Sequence, residues 1–124
     1  MKRKMSFLVL TVFLVLLIPT TSVQAKKLNK RDGVNYYKGT KETYYNLNMK
    51  RIYERADRNF GSHHKKWIRD DGVKCYGPYV IVAAPLDIHP YGSIIETSLG
   101  EGIVLDTGAF AETNKDQIDI AVDW

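Results

Sequence analysis

The stretch Gly102–Trp124, GIVLDTGAFAETNKDQIDIAVDW, carries two acidic residues at the end of, or inside, short apolar runs. Asp106 follows an Ile-Val-Leu run and precedes Thr107 and Gly108, which is typical of a carboxylate at a strand end where the backbone turns or a ligand approaches. Asp119 lies between two isoleucines, and an ionisable residue in an apolar strand costs free energy unless it faces solvent, is paired or has a function. If the intervening loop places the two strands side by side, the carboxylates could share one cleft.

The N-terminus has the pattern of a secretion signal. Three basic residues precede the apolar run Phe7–Ile18, and the sequence Val-Gln-Ala that ends at Ala25 fits a signal peptidase site. The run is shorter than the ~20 apolar residues that span a membrane comfortably. We therefore predict a signal peptide over 1–25, a secreted product and no stable membrane insertion after cleavage. Since no cysteine follows the run, lipid attachment there is not expected.

Removing this segment changes the charge of the chain. Of the 18 Lys and Arg and the 14 Asp and Glu residues, three basic residues and no acidic ones lie in 1–25, which leaves a net charge of +1. Such a balance gives no support to nucleic-acid binding. Cys75 is the single cysteine, so no internal disulfide is possible and a packed core must hold the mature product together.

Before the compact part, the segment 26–42 has many charges, two glycines and no sustained periodicity, and we predict a flexible leader there. The domain is placed at 43–124. The compact part begins near Thr43, Tyr44 and Tyr45, a β-prone start. A helix is predicted next over Asn48–Phe60, where apolar residues recur at spacings of three and four, Asn48 can cap the start and Gly61 can end it. This helix is expected to cover a core and to carry no chemistry.

The rest of the chain has a sequence pattern typical of short strands separated by Gly, Pro and Asp-Gly turn signals. Strands are expected at 66–69, 73–76, 79–84, 93–97, 102–105 and 117–122. Pro85 and Pro90 bracket a connection that cannot be a central strand. Five or six short strands with one early helix predict a small, mainly β barrel.

Several fragments in this order resemble one known family. The sequence reads Val-Ala-Ala-Pro at 82–85, Pro-Tyr-Gly-Ser-Ile-Ile-Glu-Thr-Ser-Leu-Gly at 90–100, Val-Leu-Asp-Thr-Gly at 104–108 and Ile-Asp-Ile at 118–120. Together these are similar to the three-aspartate (3D) domain, which resembles the catalytic barrel of membrane-bound lytic transglycosylase A and secreted muralytic stationary-phase survival proteins. The resemblance implies a six-stranded double-psi β-barrel, and it covers about the last eighty positions.

The resemblance also implies site residues, because the family pattern contains three acids. Asp106 matches the second and Asp119 the third, whereas the first falls on Ala84, where the acid is missing. Asp87, three residues further on, is a possible substitute from the loop. The second glycine of the family's Asp-x-Gly-Gly is replaced by Ala109.

The implied activity is lytic transglycosylation, in which peptidoglycan is cleaved between N-acetylmuramic acid and N-acetylglucosamine by attack of the sugar's own 6-hydroxyl group. By resemblance Asp119 would be the general acid and base, and Asp106 its electrostatic partner. Thr107 and Gly108 are the expected substrate-binding residues. The implied partner is the peptidoglycan glycan strand, in a product associated with the cell wall, and neither a cofactor nor a metal is expected. Hydrolysis at the same site stays open, since it requires a defined carboxylate separation that a sequence does not give.

Two other kinds of function compete for the same acids. A barrel that lost turnover along with the first acid would be a binding module for glycan or protein. The run from Asp106 to Ala109 also resembles the signature of retroviral-type aspartic proteases, but only fifteen residues follow it here, so the flap and strands of that family are missing.

The histidines and the cysteine are weaker candidates for a metal site and a nucleophile. His63 and His64 are adjacent and point in different directions, and with His89 they lack the ligand spacing of a metal site. Cys75 has no evident base beside it, so a buried thiol is favoured over a nucleophile.

Overall fold

The computed structural model describes residues 26–124, so the predicted signal peptide at 1–25 lies outside the described residues. The chain forms a mainly β structure with one α-helix. Its elements in order are β1 (Asn35–Tyr37), β2 (Thr40–Tyr45), α1 (Lys50–Phe60), β3 (Lys66–Ile68), β4 (Lys74–Tyr76), β5 (Tyr79–Ala83), β6 (Ile94–Thr97), β7 (Gly100–Asp106), a 3-10 helix (Ala109–Glu112) and β8 (Gln117–Ala121). In this part of the chain, no helix is long and apolar enough to cross a membrane.

The helix α1 forms where the sequence predicts it, although it begins two residues later. Ile52 and Ala56 on one face are buried, as the spacing of the apolar residues requires. Asn48 lies just before the helix, and its Oδ1 accepts a hydrogen bond from the Lys50 amide at 2.9 Å. Gly61 ends the helix with a φ of 91°, a conformation that favours glycine.

The strands form one mixed sheet of eight in which β5 is central. Its first half pairs with β4, its second half pairs with β8 in the antiparallel direction, and its other edge pairs with β7 in parallel. On the far side of β8 lies β2, parallel to it, followed by β1, while β6 pairs with β7 and β3 with β4. The path from β6 to β2 therefore runs through β7, β5 and β8.

Backbone pairing does not close this sheet, because β6 pairs with neither β1 nor β2. Side chains span the gap instead. Lys38, just after β1, forms an ion pair with Glu96 on β6. Oε2 of Glu42 on β2 accepts the Ser98 amide at 2.8 Å, and Oε1 accepts the Ser98 hydroxyl at 2.5 Å.

The apolar side chains form two clusters on opposite faces of the sheet. One contains alternate residues of β5, β7 and β8 together with the turn residue Leu99: Val80, Val82, Val104, Ile118 and Ile120 are all buried there. The other lies beneath α1 and contains the residues that alternate with these, including Ile81, Ile103 and Ala121, with Ile52 and Ala56 of the helix. The period of two in the strands thus supplies both faces.

The structure differs from the sequence prediction at the leader and in the number of strands. Segment 26–42 contains β1 and the start of β2, and Leu28 within it is 2% exposed in the core. The folded unit therefore begins well before Thr43, and the sheet has eight strands instead of five or six. Sequence reasoning missed this because the polar residues that anchor the leader, Asn35 and Glu42, are buried. The prediction that residues between Pro85 and Pro90 form no strand is confirmed.

Candidate functional site

Ala83, the last residue of β5, lies between the two predicted catalytic acids. It is the register partner of Asp106 on β7 and of Asp119 on β8. Side chains of directly paired residues point to the same face of a sheet, so both acids lie on the face of Ala83. Two strand spacings of roughly 4.8 Å put their Cα atoms about 10 Å apart. Ala83, the residue between them, is 3% exposed.

Asp119 is half-buried in the middle of β8, next to Thr43 on β2. Its Oδ1 accepts hydrogen bonds from the Thr43 hydroxyl and from Nε2 of Gln117, the latter at 3.1 Å. The same Gln117 amide lies 3.1 Å from Oγ1 of Thr43. Within residues 26–124, Oδ2 of Asp119 has no hydrogen-bond partner. One carboxylate oxygen is thus fixed in position while the other can meet a ligand.

Asp106 is held at the end of β7 by two donors. Its Oδ1 accepts the amide of Thr107 at 2.9 Å, and its Oδ2 accepts the hydroxyl of Tyr45 at 3.0 Å. The register of β5 and β7 shifts between Val82 and Ala83, and this irregularity brings Asp106 opposite Ala83. Bulges of this kind reorient a side chain and are common next to functional sites.

Tyr45 links the two acids electrostatically. Burial raises the pKa of its hydroxyl above the usual value, and the charge of Asp106, the hydrogen bond to that residue and the charge of Asp119 raise the pKa further. Tyr45 therefore stays neutral at physiological pH, and its hydroxyl donates a hydrogen bond to Asp106. It shares the face of Thr43, two residues earlier on β2, so β2 supplies a contact to each acid.

Sequence reasoning missed both Thr43 and Tyr45, which it treated only as the start of the compact part. Their alternation indicates that they share a strand face. Their role depends on the parallel register of β2 with β8, which joins residues about 76 positions apart. Nothing local in the sequence specifies that register.

Ala84, the position to which the resemblance assigns the first acid, is part of the core. Ala84 is fully buried within the apolar cluster that contains Val82 and Val104. Its amide donates a hydrogen bond to the backbone oxygen of Asp106 at 3.1 Å. A carboxylate at this position would point away from the face that carries Asp106 and Asp119.

Asp87, the possible substitute, is exposed and paired with Lys115. Its Oδ2 lies 3.0 Å from Nζ of Lys115, and the hydrogen bond from that lysine lowers the pKa of the Asp87 carboxyl below its usual value. It contacts neither Asp106 nor Asp119. Asp87 does share a shallow depression of about 270 Å³ with Thr107 and Gly108, the predicted substrate-binding residues, both of which are exposed.

The remaining candidates lie away from the acids. The rings of His63 and His64 are 4.2 Å apart in the loop after α1, and the second ring packs against Tyr76. Residues 26–124 contain no group of three His, Cys, Asp or Glu side chains that could hold a metal ion. Cys75 is buried, and burial raises the pKa of its thiol, which makes it a poor nucleophile.

Comparison of the chain with protein-family models, with curated proteins and with solved structures finds no match. What the chain can do chemically is therefore inferred from the geometry of the site. That geometry combines a carboxylate with one free oxygen, a second carboxylate on the same face and a neutral phenol beside both. Such a set can donate and accept protons, and it can bind the hydroxyl groups of a polar ligand.

Proposed function

We propose that this chain is a secreted lytic transglycosylase of the three-aspartate type, which cleaves peptidoglycan. The observation that carries the proposal is the placement of Asp106 and Asp119 on either side of Ala83, on one sheet face. Resemblance of the sequence to the family assigns these same two residues to the catalytic set. The proposed location, outside the cell and at the wall, follows from the signal-like sequence at 1–25.

In the proposed reaction, protonated Asp119 donates its proton to the glycosidic oxygen between N-acetylmuramic acid and N-acetylglucosamine. The bond from that oxygen to C1 of the muramic acid breaks, and the released N-acetylglucosamine keeps the proton as a hydroxyl group. The 6-hydroxyl oxygen of the same muramic acid then bonds to C1, and its proton passes to Asp119. The product is a 1,6-anhydro sugar, no water is consumed, and the carboxyl returns to its starting state.

The neighbours of Asp119 support this role. Thr43 and Gln117 fix Oδ1, so that Oδ2 can face the bond to be cleaved. Asp106 carries a negative charge on the same sheet face, which stabilises the positive charge that develops on the sugar ring. Tyr45 on β2 donates a hydrogen bond to Oδ2 of Asp106 and so helps to hold that carboxylate in place.

The proposal includes a fold related to the double-psi β-barrel. Its support is the position of β5 between β7 and β8, together with the Lys38–Glu96 and Glu42–Ser98 contacts across the open side of the sheet. On this view β1, β2, β8, β5, β7 and β6 correspond to a barrel whose last seam is held by side chains.

A binding module is the second candidate, and one observation favours it. Ala84 occupies the place of the first family acid and is buried in the core, so the cleft has two acids where the family has three. A cleft of this kind could hold a glycan strand without cleaving it. A glycoside hydrolase acting at the same two acids is a variant of the enzyme proposal, distinguished by its product.

Digestion of purified cell walls by the processed protein, which is the chain without residues 1–25, distinguishes these functions. Anhydro-muropeptides in the soluble fraction, detected by mass spectrometry and lost with Asp119→Asn, would support the transglycosylase. Reducing-end muropeptides would indicate the hydrolase. Walls that stay intact but sediment with the protein would indicate the binding module.

A further inference from the structure

Lys74 on β4 is a buried cation that forms no ion pair within residues 26–124, although the charge of Asp123 acts on it. The residue is 8% exposed, and its Nζ donates hydrogen bonds to Oδ1 of Asn46 and to the backbone oxygen of Leu47, each at 2.7 Å. No carboxylate of residues 26–124 lies within 4.0 Å of it. Burial accordingly lowers the pKa of the ammonium group. Since an ammonium group has three protons and two are used, one donor is left for an external acceptor.

Lys74 forms part of the wall of an open groove of about 460 Å³ between the start of α1 and strand β3. The groove is lined by Asn48, Met49, Lys50, Tyr53, Lys66, Trp67, Ile68 and Lys74. Three of these eight residues are lysines and none is acidic; Lys66 is paired with Asp57 on α1, so within residues 26–124 the unpaired charge comes from Lys50 and Lys74. Among the lining residues, the apolar side chain of Ile68 is 51% exposed. The groove thus combines positive charge with exposed apolar surface.

Within residues 26–124 strand β3 pairs only with β4, which leaves its other edge free. The Gly77 amide donates to the Lys65 oxygen, and the Arg69 amide donates to the Val73 oxygen, which fixes the alternation of the ladder. It follows that the amide and carbonyl groups of Lys66 and Ile68 point away from β4. In residues 26–124 these four groups have no backbone partner.

We propose that this groove binds an extended acidic segment of a partner protein, which adds to the free edge of β3 as a further strand. The backbone of the segment pairs with Lys66 and Ile68, its apolar side chains cover the exposed face of Ile68, and a carboxylate side chain reaches Lys74 and Lys50. This surface contains neither Asp106 nor Asp119, so the inference is independent of the proposed glycan chemistry.

The charge of β3 favours an acidic peptide over a second copy of this chain as the occupant of the groove. Pairing of β3 with a second copy of this chain would bring Lys65 and Lys66 of each copy together, and lysines at an edge strand oppose such pairing. The acidic side chains of an added strand would instead be attracted to these lysines. A polyanion that is not a peptide would meet the lysines but would leave the backbone groups of the edge unpaired.

The test uses a capped octapeptide that alternates Val and Glu, with the processed protein labelled for NMR. We expect binding that shifts the amide signals of Lys66, Ile68 and Lys74. Lys50→Glu should weaken the affinity about tenfold, the size expected when an attraction of about 0.7 kcal/mol becomes a repulsion of similar size. Lys30→Glu, which reverses an equally exposed charge far from the groove, should leave the affinity within about twofold, a change of only about 0.4 kcal/mol.

Strand addition has its own control in the ligand. The same octapeptide with alternate backbone amides methylated keeps its charge but cannot pair as a strand, and we expect its binding to be lost. Ile68→Pro removes the outward amide without removing a bond to β4, and it should have the same effect. Equal binding of the methylated peptide, or binding of inorganic polyphosphate with the same shifts and affinity, would overturn the proposal. Absence of octapeptide binding would also overturn it.

Discussion

The hydroxyl of Tyr45 on β2 donates a hydrogen bond to Oδ2 of Asp106 on β7, across the two strands that separate them in the sheet. This contact ties the N-terminal hairpin to the end of the strand that follows β6. It also places a neutral donor in the electrostatic field of both acids, because the charge of Asp119 acts on the same hydroxyl. The candidate site is therefore a set of three side chains from three strands.

Tyr45→Phe removes this donor and keeps the ring. Because this hydrogen bond goes to a charged acceptor, its removal should cost about 1.5 kcal/mol of the interaction that positions Asp106. We therefore expect any cleavage rate to fall about tenfold. The measurement is the initial rate of muropeptide release from purified walls. Tyr44→Phe is the matched control, since within residues 26–124 the Tyr44 hydroxyl donates only to the backbone oxygen of Lys30, at 3.3 Å on the surface. Equal rates for the two variants would remove Tyr45 from the site.

Introducing at Ala84 the acid that the three-aspartate pattern has there should damage the protein instead of improving it. Ala84→Asp places a carboxylate in an apolar core without a partner, and we expect a destabilisation of about 3 kcal/mol or more at pH 7. Ala84→Asn has a side chain of similar size and no charge, so the difference between the variants isolates the charge. Urea unfolding at pH 7 and pH 4 measures it, and the difference should shrink at pH 4 as the introduced carboxyl binds a proton. A stable Ala84→Asp variant with increased cleavage would contradict this placement of Ala84.

Glu42 is the buried side chain that fastens the N-terminal hairpin to the turn after β6. It is 0% exposed and accepts hydrogen bonds from the Ser98 amide, the Ser98 hydroxyl and Nδ2 of Asn35. Glu42→Ala leaves these donors without an acceptor, and we expect the free energy of unfolding to fall by about 3 kcal/mol or more. Denaturant titration measures the change.

Glu96→Ala is the control for Glu42, because Glu96 spans the same gap through an exposed ion pair with Lys38. Exposed pairs contribute little, so this variant should lose less than about 1 kcal/mol. Similar losses in the two variants would show that the gap does not depend on the buried carboxylate.

The ion pair between Asp57 on α1 and Lys66 on β3 should make stability depend on pH in the acid range. The hydrogen bond from Lys66, at 2.7 Å, lowers the pKa of the Asp57 carboxyl below 3.8, and a hydrogen bond from Tyr76 adds to this shift. The unfolded chain therefore binds a proton more readily than the folded one. The stabilisation is present above pH 3.8 and is lost as the pH falls from there through the lowered value.

Asp57→Asn should remove this part of the pH dependence. Urea unfolding of both proteins between pH 2 and pH 6 measures it, and the difference in stability between them should become smaller at the acid end. Asp70→Asn, at an exposed carboxylate without an ion pair in residues 26–124, should leave the profile unchanged. Parallel profiles for the original chain and Asp57→Asn would contradict the shift.

Parts of the fold followed from local patterns. The face of α1 was predictable because Ile52 and Ala56 share a helical stripe, and the strand positions around Asp106 and Asp119 were predictable from their apolar neighbours. The order of the strands was not. The site exists because β8 inserts between β2 and β5, and such pairings depend on tertiary packing that no short pattern encodes.

The leader shows where composition misleads. Its charges suggested a solvated tail, yet Leu28 enters the core and Asn35 and Glu42 satisfy each other by a 3.0 Å hydrogen bond. Buried polar residues with mutual partners look like surface residues in a sequence, because the partner that offsets their desolvation is supplied only by the fold. Tyr45 was missed for a related reason, since its acceptor lies 61 residues away.

The central claim is that Asp119 cleaves a glycan at a site shared with Asp106, and the mass of the released muropeptides tests it most directly. We expect the processed protein to release fragments lighter by one water molecule than the reducing products of hydrolysis, and Asp119→Asn to release none while it stays folded. Release of anhydro fragments by Asp119→Asn at the original rate, or no release by the unaltered protein from walls that it binds, would contradict the claim.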